Sequence, residues 1–168
     1  AYYLSISNYY MGHIEEAYKY SKIGLQIAKY HSIKKEIVVE IYKSFALIYS
    51  EINEIDNAIK YCFEGLKVAE EIGYIVGMAR IFNNLSIIYS DLEDNEKAMD
   101  YLFRAEELIE QVDDNSFAAI IYLNIGEMYL KNKELNSKSV ELTLRRSPVW
   151  EFEQKALKAN KRLMQLGY

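Results

Sequence analysis

Cysteine, proline and basic clusters are all scarce in this chain. Its 168 residues include one cysteine, one proline and two histidines. The lone Cys62 cannot close an internal disulfide, so no cysteine framework holds the fold, and a reducing, cytoplasmic compartment is expected. His13 and His31 have no Cys, His or carboxylate partners at metal-ligand spacing, so no metal or other cofactor is expected. Basic residues cluster only as Lys34-Lys35 and Arg145-Arg146, and the net charge is −5. That gives nucleic acid no electrostatic footprint. No apolar run is long enough to span a bilayer, so no membrane partner is expected. Phosphate loops, zinc-protease motifs and serine elbows are missing too, which argues against an enzyme. Acid pairs such as Glu15-Glu16 and Glu106-Glu107 are helix neighbours pointing in different directions, as on a solvated surface.

What the chain does have is a period. Tyr42, Phe82 and Tyr122 recur every 40 residues, as do Ala46, Ser86 and Gly126, and Tyr49, Tyr89 and Tyr129. A second set recurs at spacings of 41 and 40: Ala17, Ala58 and Ala98; Tyr20, Tyr61 and Tyr101; Gly24, Gly65 and Ala105. A fixed period of this size marks a stack of helical hairpins, each burying its apolar face only against its neighbours. The small residues mark where facing helices approach closely, and the rings fill the gaps between them. Sixteen tyrosines suit half-buried helix faces, because a ring can pack while its hydroxyl stays in water or on a partner.

Helical periodicity predicts helices over about 1–11, 14–30, 33–51, 54–71, 75–91, 95–112 and 116–131. Gly12 breaks the first, and Glu15 and Glu16 suit the first turn of the second. Ser32 is expected to cap the third, Asn53 the fourth and Asp94 the sixth, with Gly73 as a left-handed stop. The pattern changes after the seventh helix. Lys138 stands where a small residue is due, and Val140, Leu142 and Leu144 alternate like a strand. Ser147-Pro148 then opens a last helix over about 148–166. The expected organisation is a single repeat domain over 1–168. Its units fall at about 1–31, 32–73, 74–113 and 114–168, the last with an irregular stretch at 135–147. The chain reads as a piece of a longer protein. The Tyr2-Tyr3 and Tyr9-Tyr10 pairs at its edge suggest contact with a missing repeat, or a homodimer through terminal repeats.

The units resemble the tetratricopeptide repeat. Phe82, Leu85, Ser86, Tyr89, Ala98 and Ala105 follow that motif in order. Tyr122, Ile125, Gly126 and Tyr129 repeat its first-helix half, as do Tyr42, Phe45, Ala46 and Tyr49. Gly12, Ala17 and Gly24 match the end of an earlier unit. The 40-residue unit is similar to a longer subgroup found in kinesin light chains and bacterial peptide-sensing regulators. The resemblance implies an all-α, right-handed superhelical stack of antiparallel helix pairs. It also implies a concave groove lined by the first helix of each pair, which binds a protein or peptide partner. The groove positions that carry over are Glu40, Lys43, Ser44 and Leu47, then Arg80, Asn83, Asn84 and Ile87, then Ile120, Leu123, Asn124 and Glu127. Ser44, Asn84 and Asn124 form a ladder in which an amide can pair with a peptide main chain. Arg80 and Lys43 could hold a carboxylate. The function expected on this basis is a peptide-binding sensory or regulatory module of a bacterial signalling protein. The alternative is an assembly scaffold without a groove ligand.

Overall fold

The structure, a computed structural model, describes residues 1–112 and 115–135. Among the described residues there are seven helices and no strand. They are α1 (Tyr2–Tyr10), α2 (Ile14–Tyr30), α3 (Lys35–Glu51), α4 (Ile55–Ile72), α5 (Ile75–Asp91), α6 (Asn95–Ile109) and α7 (Asn115–Leu135). The chain is all-α, a stack of antiparallel helix pairs. It divides into one unit over Ala1–Gly126 and a second over Glu127–Tyr168. Of the second, the described part is the last stretch of α7. The expected strand-like stretch from 136 to 147 and the helix over 148–166 lie outside the described residues.

Small residues in step let these helices nest. Ala17, Ala58, Ala98 and Ala105 are fully buried, and so are Ala46 and Ser86 to within 2%. Gly24 and Gly65 show why their positions stay small. A Cβ on Gly24 would sit 2.9 Å from Ile41 Cδ1, and one on Gly65 would lie 3.1 Å from Tyr42 Cβ and 3.2 Å from Ile81 Cδ1. Each therefore seats the next hairpin's first helix. Gly126 differs, because a Cβ there would meet nothing within 4 Å.

Inside the second and third hairpins, rings fill the remaining space. Tyr61 of α4 stacks on Phe45 at 4.7 Å and on Tyr49 at 5.3 Å between centroids. Tyr101 of α6 repeats this against Phe82 at 5.9 Å and Tyr89 at 5.4 Å. Such pairs add stabilisation beyond the area they bury.

The turns are as periodic as the helices. Gly12, Asn53 and Glu93 take left-handed backbone with φ of 77°, 60° and 61°. In each turn the following amide reaches back five residues: His13 to Asn8, Glu54 to Tyr49, Asp94 to Tyr89. This closure satisfies the last carbonyls of the helix. Gly73 makes the same closure between α4 and α5, with φ 65°. The turn chemistry corrects two expectations. Asn53 is not the cap of α4 but the left-handed residue before Glu54, which caps it without a side-chain bond. Ser32 is not the cap of α3 either, since that helix starts two residues later, from Lys34. Asp94 does cap α6, its carboxylate accepting the Lys97 amide at 3.2 Å. Helix α6 ends at Ile109 rather than 112, and α7 extends to Leu135.

Candidate functional site on the first-helix face

In the first unit the two helix layers differ. Helix α1 packs on α3, and α3 on α5, whereas no comparable contact joins α2 to α4 or α4 to α6. The first helices are therefore drawn together in one layer, and the second helices are spread apart. Helix α7 joins that first layer through a 2.7 Å hydrogen bond from Asn124 Nδ2 to Asn83 Oδ1. The face of this layer holds the positions singled out from sequence.

At α3 the face is polar and already paired. Glu40 accepts Lys43 Nζ at 2.8 Å and the Tyr2 hydroxyl at 3.1 Å, both on Oε2. The Glu40 and Lys43 side chains are only 13% and 12% exposed, so this ion pair is largely out of water. Burial pulls Lys43 below the usual lysine range, and nearby Arg80 adds to the effect, against the opposing pull of Glu40. Burial, and then Glu40, push the hydroxyls of Tyr2 and Tyr74 upward, so both stay protonated donors. Glu40 Oε1 is shielded from solvent and makes no hydrogen bond among the described residues. Ser44 is buried, and its hydroxyl donates to the Glu40 carbonyl at 3.0 Å, a bond within its own helix. Leu47 is half-buried beside it.

At α5 and α7 the character changes. Arg80 lays its guanidinium 5.2 Å from the centre of the Phe117 ring. Asn83 is 6% exposed and committed to Asn124. Asn84 is half-buried, and its Nδ2 has no acceptor among the described residues. The same two helices carry exposed aliphatic side chains: Ile87 at 47%, Ile120 at 48% and Leu123 at 62%. Glu127 is exposed and belongs to the second unit.

The ladder of Ser44, Asn84 and Asn124 therefore has three unlike rungs. One is bonded within its helix, one lacks a partner, and one is tied to a neighbouring helix. Sequence reading missed Tyr2 and Tyr74 at this face. In sequence the Tyr2-Tyr3 pair suggests contact with a missing repeat or a second copy, whereas the Tyr2 hydroxyl bonds Glu40. Tyr74 just precedes α5, and its ring covers Gly77 so closely that no Cβ fits there. Gly73 and Gly77 are thus a helix stop and a ring seat. Cys62 is buried within its hairpin, and burial pushes its thiol up to about 12. It is inert at neutral pH. His13 and His31 are exposed, and no group of three potential metal ligands occurs among the described residues. No described helix is long and apolar enough to cross a membrane. A shallow hollow lined by Asn53 to Asn57 lies at the α3–α4 hairpin tip rather than on this face.

Comparisons with known proteins agree with this architecture. Residues 79–111, the α5–α6 hairpin, match the family model described as tetratricopeptide repeat. The crystal structure of BtubC (BKLC) from P. vanneervenii superposes with a TM-score of 0.67 at 25% identity, over 77% of this chain and 53% of that one. The apo form of RapI superposes with a TM-score of 0.66 at 19% identity, over 88% of this chain and 40% of that one, a likeness of fold alone. The chain thus spans about half or less of the length of these neighbours. No curated protein sequence matches it.

Proposed function

Because the chain is a tetratricopeptide-repeat protein, we propose that it binds a peptide or protein segment along the face of α1, α3, α5 and the first part of α7. In this reading it is a sensory or regulatory module of a bacterial signalling protein. One observation carries the proposal. First helices α1, α3 and α5 contact one another across the stack, and α5 and α7 carry exposed Ile87, Ile120 and Leu123 together with Asn84, whose buried Nδ2 has no acceptor among the described residues. Solvated helix faces rarely combine the two. A bound segment would bridge α3, α5 and α7. It would favour one spacing of the hairpins over others, and an attached output module would respond to that bias.

The test is selection of a random dodecapeptide phage library on immobilised chain. Enriched sequences should bind in solution and should lose at least tenfold in affinity on Asn84→Ala. Failure to enrich any sequence over an unrelated helical-repeat control removes the peptide-binding reading. A second reading, an assembly scaffold, is favoured by the outer surface of α1, where Tyr3 and Tyr10 are 83% and 77% exposed. Self-association of the chain, abolished by Tyr3→Ser and Tyr10→Ser, would support it.

A further inference from the structure

The Glu40 carboxylate stands where three first helices meet. Helix α3 carries it, and α1 and α5 both pack on α3. From α1 the Tyr2 hydroxyl donates to Oε2 at 3.1 Å, and from α3 itself the Lys43 ammonium donates to the same oxygen at 2.8 Å. On the α5 side stand Tyr74, just before the helix, and Arg80 within it. Burial and then Glu40 push the Tyr74 hydroxyl up, and Arg80 acts in the opposite direction on Tyr74 and on Tyr2. The charges of Glu40 and Arg80 therefore reach the same side chains from neighbouring helices.

This arrangement is costly to hold. Burial draws Lys43 below the usual lysine range, and Arg80 lowers it further, against the pull of Glu40. What the ammonium loses on leaving water thus exceeds what the carboxylate returns. Such a pair adds little to stability, but removing one partner leaves the other charged and buried. The hold on α1 is equally conditional. Ser5 is the one buried residue of that helix, so no buried apolar side chain fastens it, and Tyr2 ties it to α3 through Glu40. The hairpins α3–α4 and α5–α6 are different, because they bury Phe45, Leu66, Leu85 and Leu102.

We infer that Glu40 is a charge-keyed joint that sets the spacing of α1, α3 and α5. With its charge in place, Tyr2 holds α1 down, and the carboxylate offsets Lys43 and Arg80 across the α3–α5 contact. Without it, the Tyr2 bond loses its ionised acceptor, and two cations remain together in a layer largely out of water. Glu36, one turn earlier on α3, is exposed and screened by solvent, so it does not replace Glu40. The first helices then spread, while the α3–α4 and α5–α6 hairpins stay folded. The stack thereby has two spacings of its first helices, a property that needs no bound segment.

Hydrogen exchange on three variants tests the joint. Glu40→Gln keeps the shape of the side chain and removes its charge. It should speed exchange about tenfold in α1 and in the first half of α5, while α4 and α6 change less than about threefold. Tyr2→Phe should reproduce the effect in α1 alone. Adding Lys43→Met to Glu40→Gln removes the uncompensated cation and should return α5 to within about threefold of the unaltered protein. Equal acceleration from α1 to α6 in Glu40→Gln would mark an ordinary stabilising pair and overturn the inference, as would unchanged exchange in α1 and α5. Failure of the double variant to restore α5 would overturn it too. If Glu40→Gln does not fold, the other two variants decide. Acceleration confined to α1 in Tyr2→Phe, with α5 protected in the double variant, supports the joint, and any other pattern overturns it.

Discussion

Where α3 buries Phe45 and α5 buries Leu85, α1 buries Ser5, at the same step of the repeat. Where α4 and α6 bury Cys62 and Leu102, α2 buries Ser21. The two serines meet at 2.6 Å between hydroxyls, and Ser5 also reaches the Ala17 carbonyl at 2.9 Å. The ring stack differs as well. Tyr61 and Tyr101 are each packed between two rings, while among the described residues their counterpart Tyr20 stacks on none. So the first hairpin keeps the outline of the others but fills it with small polar groups. Side-chain spacing sets the hairpin geometry, and the bulk inside it sets how strongly the hairpin holds. The first hairpin should be the one that opens most easily, with faster amide exchange in α1 and α2 than in α3 to α6.

The largest effect should come from emptying a well-filled hairpin. Phe45 is 2% exposed and stacks on Tyr61. Phe45→Ala should cost about 3–5 kcal/mol in urea unfolding, through lost burial plus a cavity. If the loss were no greater than that of Ser5→Ala, the contrast between the hairpins would be false.

Overfilling tests the same contrast from the other side. Ala98 has no exposed surface, so Ala98→Leu should cost about 1–3 kcal/mol by forcing α5 and α6 apart. Ala17 is equally buried at the matching step of the first hairpin. Around Ala17 the neighbours are smaller, so Ala17→Leu should cost less. Equal melting shifts for the two variants would mean that hairpin bulk does not govern tolerance.

The serine pair sharpens the comparison further. Ser5→Ala strips a hydrogen bond and should cost about 1 kcal/mol. Adding Ser21→Ala removes the second hydroxyl, which would otherwise be left poorly satisfied. The double variant should then recover part of the loss, a coupling readable in a double-mutant cycle. Strict additivity would show that the two hydroxyls do not depend on each other.

Much of this could be read from the chain because repetition averages out local ambiguity. Ala58, Ala98, Gly65 and Ala105 announce close packing together, where any one alone would be an ordinary small residue. The hairpin register and the Asp94 cap followed directly. The turns were harder, because the left-handed position is held by Gly12, Asn53 and Glu93 in succession, and only glycine advertises it. Asn53 read as a cap for the same reason that it suits a left-handed turn, a short side chain that bonds its own backbone. The face of the first helices was legible as positions, but not as partnerships. Asn84 and Asn124 look alike in sequence. Which amide is bonded depends on how α5 and α7 sit, and that lies in packing rather than in spacing. The ion pair of Lys43 with Glu40 was there as an i, i+3 spacing. Its closure by Tyr2 came from a residue nearly 40 positions away, with no motif to signal it.

The smallest expected effect separates the turns. All three intra-hairpin turns need one residue in left-handed backbone, and the third uses a glutamate with φ 61°. That conformation costs an ordinary L-residue about 1–2 kcal/mol, and glycine avoids the cost while losing more chain entropy on folding. Glu93→Gly should therefore stabilise the protein by about 0.5–1 kcal/mol, and Gly12→Ala should strain its own turn by a similar amount. A Cβ on Gly12 would touch nothing within 4 Å, so any loss there comes from backbone strain and not from crowding. If the first hairpin is already the loosest, part of the Gly12→Ala strain relaxes by fraying α1. The loss then shows in exchange rates near Gly12 more than in global unfolding. A global loss as large as the gain from Glu93→Gly would instead place the first hairpin in the same cooperative unit as the third.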